Sequence, residues 1–316
     1  MIERRVITFP HQLLAGLDHP AFEAKGAKDG PHLALIGGIH GCEYSSIAAV
    51  TRVMTELDTS ELAGTITAVP VVSMQSYERR SPFVVPEDGK NLNRCFPGSY
   101  EGSYTDILAR SIFDTLIAPA DAVLDLHGGD MVEGLEPFAI YEESAVQERA
   151  HGIAVAMGLP YVVRERRRDD GLAGMTTSAA AAAGIPAVIA EAGGRGQLEE
   201  SAVRLLADGV RNVLRHLGMV PGEPAPPHPQ LRSVGSFLWL RAKAAGWWDA
   251  AVPSGAEVRE GQLLGRVRNL WGDELEQIHA PAAGVVLFVT TSPAVGADGL
   301  LLGLGAELAA EKGQSG

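Results

Sequence analysis

Cysteine is almost missing from this chain: Cys42 and Cys95 are the only two in 316 residues. Disulfides are therefore not expected to hold the fold together, and the cytoplasm is the expected compartment. A surplus of positive charge is missing too. The formal net charge of −13 argues against a general nucleic-acid binder, whose contact face is basic. It leaves an anionic substrate open, because a local cationic pocket can sit on an acidic protein. No apolar run approaches the roughly 18 residues of a membrane span, so no membrane partner is expected. The start, Met1-Ile2-Glu3-Arg4-Arg5, does not have the basic-then-apolar layout of a signal peptide. Lysine is scarce late in the chain, where only Lys243 and Lys312 follow residue 229.

What is present is a globular composition, 46% hydrophobic and 21% charged, able to bury a substantial core. The length suits one large domain or two. From residue 32 to about 218 the chain alternates between two textures. Short Val-, Ile- and Leu-rich segments at 32–36, 64–72, 122–126, 137–141, 160–165 and 186–191 read as buried strands of a mostly parallel sheet. Segments 43–57, 104–118, 143–157, 173–183 and 198–217 read as helices. The last carries Leu198, Ala202, Leu206, Val210, Val213 and Leu217 as a stripe, with Gly218 as its stop.

Residues 221–229 hold five prolines in nine positions and can be neither helix nor central strand. They are expected to link a catalytic domain, 1–220, to a C-terminal β domain, 230–316. Beyond the prolines, strands are expected at 235–241, 247–252, 257–259, 262–268, 275–280, 283–290 and 299–303. Segments 254–265 and 280–286 resemble the barrel-sandwich hybrid of biotinyl and lipoyl carriers. The hairpin between them has no lysine to modify, so a structural or lid-forming role is favoured over a carrier. Trp247 and Trp248 suit either barrel core or a subunit interface, which leaves a homo-oligomer open.

Two short stretches carry the chemistry. Gly37-Gly38-Ile39-His40-Gly41-Cys42-Glu43 and Asp125-Leu126-His127-Gly128-Gly129 each follow an apolar run and open onto glycines. Both lie at expected C-terminal strand ends, where ligands collect in open α/β sheets. Two imidazoles and one carboxylate fill three tetrahedral positions of a catalytic zinc and leave one for water. A lone His-x-x-Glu is a weak signal, and His127 alone reads as a buried structural histidine; the three together read as a metal site.

Four motifs then occur in order: Gly38-x-His40-Gly41-x-Glu43, Asp88-Gly89-Lys90-Asn91-Leu92-Asn93-Arg94-Cys95-Phe96-Pro97-Gly98, Asp125-Leu126-His127-Gly128 and Glu191-Ala192-Gly193-Gly194. With them the chain resembles the succinylglutamate desuccinylase/aspartoacylase family of the zinc carboxypeptidase superfamily, over roughly residues 30–290. The resemblance implies a three-layer α/β/α zinc-carboxypeptidase-like domain with a mixed sheet, followed by a small all-β, barrel-sandwich-like domain. It implies one Zn²⁺ per chain on His40, Glu43 and His127. It makes Glu191 the general base that passes a proton from water to the leaving amine, and Asn93 and Arg94 the holders of a substrate carboxylate. A further arginine upstream would hold the scissile carbonyl oxygen. Arg79 and Arg80 both suit, with Arg80 preferred.

Two positions depart from the family pattern. Cys42 replaces a residue that is often polar and is read first as passive packing, with oxidation or adventitious metal binding as the alternatives. Asn91 stands where many relatives have Asp and is expected to alter local hydrogen bonding. The charged loop Arg164-Glu165-Arg166-Arg167-Arg168-Asp169-Asp170-Gly171 offers Arg164 or Arg166 as a further contact for an acidic substrate group. The expected activity is a zinc-dependent deacylase cleaving the non-peptide amide bond of a small N-acylated amino acid or related amine. The alternatives are a metallocarboxypeptidase acting on short peptides and a binding homologue without activity.

Overall fold

The computed structural model describes residues 1–166 and 174–310. Arg167 to Gly171 of the charged loop, the first position of the helix expected at 173–183, and Lys312 lie outside the described residues.

The centre of the fold is a parallel arrangement. Lys28–Gly37, Ala122–His127 and Ala187–Glu191 lie side by side, with Ala63–Val69 on the far side of the first. Phe138–Glu142 then runs antiparallel to Ala187–Glu191 and parallel to Tyr161–Glu165, so the sheet is mixed. Side-chain alternation along the central strands divides the core into two layers. Leu33, Leu35, Leu124, Leu126, Val188 and Ala190 face helices Tyr44–Glu56, Gln147–Ala156 and Glu200–His216. Ala34, Ile36, Val123 and Ala187 face helices Tyr104–Ile112 and Thr176–Ala182 on the other side. Strands buried on both faces must be apolar at nearly every position, which is why they read as unbroken hydrophobic runs. Asp125 breaks that rule: it is fully buried on the second face.

The sheet is longer than the sequence suggests at both edges. Ile2–Ile7 and His19–Lys25 add an antiparallel pair beyond Ala63–Val69. At the other edge Arg232–Arg241 pairs parallel to Tyr161–Glu165. Leu300–Ala310, Gly284–Thr290 and Glu257–Val258 continue from it antiparallel. Gly246–Ala250, Leu263–Arg268, Glu274–His279 and Ala294–Val295 form a separate four-stranded antiparallel sheet. Thus the fold is mixed α/β, as expected, with one large sheet and one small antiparallel sheet. The strands expected after residue 230 are divided between the two sheets.

The proline-rich stretch 221–229 is mostly exposed and without regular structure. Asn212 of the last helix straps it down: its carbonyl oxygen accepts from the Ala225 amide at 2.6 Å, and its amide donates to the Ala156 carbonyl at 2.7 Å. Trp248 is buried and donates its indole N–H to the Thr290 carbonyl at 3.0 Å, whereas Trp247 is 46% exposed. No helix among the described residues is long and apolar enough to cross a membrane.

Candidate metal centre and substrate cavity

The three central parallel strands end on one side of the sheet, and their following residues build the site. After Lys28–Gly37 the chain turns through His40 and Gly41 into the helix starting at Tyr44. Only glycine fits at 41, because a Cβ there would lie 2.1 Å from the Tyr77 amide nitrogen. Glu43 occupies the cap position of that helix, yet its side chain makes no capping bond. Its carboxylate turns inward instead, with Oε1 2.7 Å from His40 Nδ1 and Oε2 3.0 Å from His127 Nδ1. The Gly128 amide also donates to Oε2, at 3.2 Å. One ligating atom from each of His40, Glu43 and His127 lies within 4.8 Å of the others, and all three residues are buried.

The remaining imidazole nitrogens are held from behind. His127 Nε2 lies 3.0 Å from Asp125 Oδ2, which also accepts from the Thr176 hydroxyl at 2.6 Å. His40 Nε2 lies 3.1 Å from Asn91 Oδ1. An imidazole that donates one N–H backward presents its other nitrogen as a fixed ligand, which is the usual outer arrangement around a bound metal. Asn91 therefore touches a candidate ligand directly and orients His40.

Electrostatics points the same way. Burial alone would lower both histidine pKa values, but the adjacent carboxylates outweigh it. His40 ends above its ordinary value through Glu43, and His127 well above it through Asp125 and Glu43. Burial pushes Glu43 up, yet the two imidazoles win and hold it far below the usual carboxylate range. Deprotonated, the two imidazoles and the carboxylate form a donor set that fits a divalent cation of the zinc type. Cys42 is fully buried beside it, and burial drives its thiol up to about 11. It is not one of the three residues whose ligating atoms converge.

Glu191 stands opposite His127 in the strand ladder, at the end of Ala187–Glu191. Burial raises its pKa well above that of an ordinary carboxyl. His40, Glu43, His127 and Glu191 line one cavity of about 640 Å³, together with Asn93 and Arg94. Asn93 Oδ1 accepts from the Thr176 amide at 2.9 Å. Arg94 donates to the Asn93 carbonyl at 2.7 Å and lies 5.7 Å from the centre of the Trp239 ring. Burial, and then the nearby charge of Arg241, lower the Arg94 pKa.

The upstream and loop arginines are placed elsewhere. Arg80 caps the helix Met74–Arg79 in a left-handed conformation, is exposed and does not line the cavity. Arg79 pairs with Glu87 at 3.1 Å. Arg164 sits 4.0 Å from Glu143, and Arg166 lies near Glu143 and Glu307; neither lines the cavity.

The sequence reading missed several residues that do. Glu133 lines the wall, and Phe237, Trp239, Arg241, Phe288 and Thr290 form a roof. The roof strands reach the site only because Arg232–Arg241 joins the main sheet and Gly284–Thr290 pairs with Glu133–Leu135. No local pattern announces such distant pairings. Asp125 did carry a signal, as the one charged residue inside an otherwise apolar strand.

Residues 29–217 match the succinylglutamate desuccinylase/aspartoacylase catalytic domain. The chain is 31% identical over 250 residues to the N-alpha-acetyl-L-2,4-diaminobutyric acid deacetylase of Halomonas elongata, covering 77% of this chain and 72% of that one. Its fold superposes with a TM-score of 0.85 on the product-bound ectoine utilization protein EutE (DoeB) from Ruegeria pomeroyi, at 26% identity over 96% of this chain and 95% of the other. A succinylglutamate desuccinylase/aspartoacylase from Rhodobacter sphaeroides gives a TM-score of 0.84 at 23% identity, covering 98% and 96%. The chain belongs to the succinylglutamate desuccinylase/aspartoacylase family.

Proposed function

We propose that this protein is a zinc-dependent deacylase that hydrolyses the amide bond of a small N-acylated amino acid. The observation that carries the reading is convergence: the His40–Glu43–His127 donor set, the Glu191 carboxylate and the Asn93–Arg94 pair all line one cavity. The likeness to a named deacetylase supports the amide as the bond cleaved.

His40, Glu43 and His127 would hold the ion, with Asp125 and Asn91 fixing the two imidazoles. When bound, zinc supplies Lewis acidity, polarising the acyl carbonyl and bringing water's pKa toward neutrality. Glu191 takes a proton on its carboxylate from the attacking water and returns it to the leaving nitrogen. A buried carboxyl whose pKa is pushed up by burial holds a transferred proton more firmly than an exposed one. Arg94 orients the substrate by its carboxylate, for which the guanidinium fork is matched. Phe237, Trp239 and Phe288 give the same cavity, about 640 Å³, an apolar wall that suits a small substrate.

The test is a panel of N-acyl amino acids and dipeptides offered to protein with measured zinc content. Hydrolysis of N-acyl amino acids, abolished by chelation and restored by Zn²⁺, is the expected result. Glu191→Gln should keep zinc and lose turnover by about 10²–10⁴-fold, the range for general acid–base catalysis. Dipeptides cleaved in preference would move the protein to the carboxypeptidases, and failure to bind zinc would end the reading.

A further inference from the structure

The loop that carries Asn93 and Arg94 is bonded towards both imidazoles of the metal centre, by two different routes. The first is direct. Asn91 Oδ1 accepts from the Asn93 amide at 2.8 Å and meets His40 Nε2 at 3.1 Å. The second passes through Thr176, which is not among the residues lining the cavity. Its amide donates to Asn93 Oδ1 at 2.9 Å, and its hydroxyl donates to Asp125 Oδ2 at 2.6 Å. Asp125 Oδ2 in turn accepts from His127 Nε2 at 3.0 Å.

Thr176 makes both bonds because of where it stands. It is the first residue of the helix Thr176–Ala182, so its N–H has no partner within the helix and is available to Asn93. A backbone N–H can only donate, which turns the Asn93 oxygen towards Thr176 and leaves the NH2 as the donor for a ligand. A carboxylate can only accept, so the Thr176 hydroxyl proton points at Asp125. Imidazole and hydroxyl meet the same oxygen and together fix the rotation of the carboxylate. Asn93, Asp125, His127 and Thr176 are all buried, so water does not compete for these bonds. The backbone beside them is locked as well. The Gly174 carbonyl accepts from the Phe96 amide at 2.9 Å, and a Cβ at 174 would strike the Arg94 carbonyl.

The separation between a carboxylate anchor and the metal decides which bond of a substrate reaches the metal. A misplacement of about 1 Å costs on the order of a hundredfold in rate.

We propose that Thr176 is a positioning residue that locks the substrate-holding loop to the candidate ligand His127, so that anchor and ion keep a fixed separation. It touches neither substrate nor ion and acts through Asn93 and Asp125. The inference rests on the deacylase reading for the role of Asn93, but not for the hold on His127.

Three variants separate the two bonds. Thr176→Ser keeps both. Thr176→Val keeps the branched shape and the amide but loses the hydroxyl. Thr176→Pro loses both at the first helical position, where proline is accepted, and Met175 before it is already extended at φ −73° and ψ 158°. Competition between metal-free protein and a chromophoric chelator reads the hydroxyl bond. Zinc affinity should fall about tenfold in Thr176→Val, the lower end for loss of an outer partner, and stay within about threefold of wild type in Thr176→Ser. KM for an N-acetyl amino acid on zinc-saturated protein reads the amide bond. It should stay near wild type in Thr176→Val and rise about tenfold in Thr176→Pro, the scale of one lost hydrogen bond. Unchanged zinc affinity in Thr176→Val overturns the proposal, because a merely structural hydroxyl moves the melting temperature alone. An equal loss in Thr176→Ser overturns it too, since packing and not the bond would then be at work. Equal KM values in Thr176→Val and Thr176→Pro overturn the lock to Asn93. Where Thr176→Pro does not fold, Asn93→Ala breaks that bond from the other side, and a zinc affinity unchanged from wild type overturns the lock. If zinc-loaded wild type hydrolyses no N-acyl amino acid, the deacylase reading falls, and the zinc measurement still decides the hold on His127.

Discussion

The floor and the roof of the cavity are built by different rules. The floor comes from the ends of three adjacent parallel strands and the turns after them, where register sets side chains opposite one another: His127 faces Glu191 in the ladder. Each candidate ligand is buried, and each imidazole has a second partner behind it. The roof comes from antiparallel strands contributed from beyond residue 230. It supplies aromatic rings and Arg241, which is exposed and tied to a loop carbonyl. The floor is arranged to hold atoms within tenths of an ångström, which bond breaking requires. The roof is arranged to present shape and charge. Floor changes should therefore act on metal binding and kcat, and roof changes on KM.

The most severe test of that division is in the floor. Asp125→Asn keeps the volume but replaces a charged acceptor behind His127 with a neutral amide. Metal affinity should fall by about 10–100-fold, the usual cost of losing such an outer partner, and turnover at limiting zinc should fall with it. Competition with a chromophoric chelator measures the first. Unchanged zinc affinity would mean that His127 is oriented by packing alone, and the contrast between floor and roof would lose its physical basis.

A smaller effect is expected from the roof. Arg241→Ala removes a cavity charge without touching the donor set, so KM for a carboxylated substrate should rise by about tenfold while kcat and zinc content change little. Steady-state kinetics with metal analysis on the same sample checks it. A fall in kcat equal to the fall in kcat/KM would place Arg241 at the reacting atoms and make the roof part of the chemistry.

The same division explains what could be read from the sequence. Floor elements are local: the strand expected at 122–126 is Ala122–His127, that at 186–191 is Ala187–Glu191, and the helix expected at 43–57 is Tyr44–Glu56. A buried parallel strand and the glycine turn after it mark themselves within about ten residues. The order of motifs then brought His40, Glu43, Asn93, Arg94, His127 and Glu191 to one cavity. The roof strands were also legible as strands. Their destination was not, because Arg232–Arg241 could pair with Tyr161–Glu165 or stay within its own sheet without any change in pattern. Arg241 and Glu133 were invisible for that reason. The terminal strand Ile2–Ile7 was missed because edge strands need bury only one end: Glu3, Arg4 and Arg5 are exposed and Ile7 is buried.

Arg80 and Arg164 supply the smallest expected effects and the sharpest controls. Both were candidates because arginine suits a substrate oxygen, yet both lie outside the cavity lining. Among the described residues Arg164 has Glu143 as its ion-pair partner, at 4.0 Å, with both side chains well exposed to solvent. Pairs of that kind contribute about 0–1 kcal/mol, so Arg164→Gln should leave stability and KM essentially unchanged. Arg80→Ala should leave kcat within about threefold, whereas losing a donor to the developing oxyanion costs about 10²–10³-fold. That gap decides the matter in one kinetic measurement. A hundredfold loss in the Arg80 variant, with zinc content intact, would require the left-handed turn at Arg80 to swing its guanidinium over the floor when substrate is bound. The floor would then owe one of its catalytic groups to a surface residue, and burial would no longer separate the residues that break bonds from those that choose the molecule.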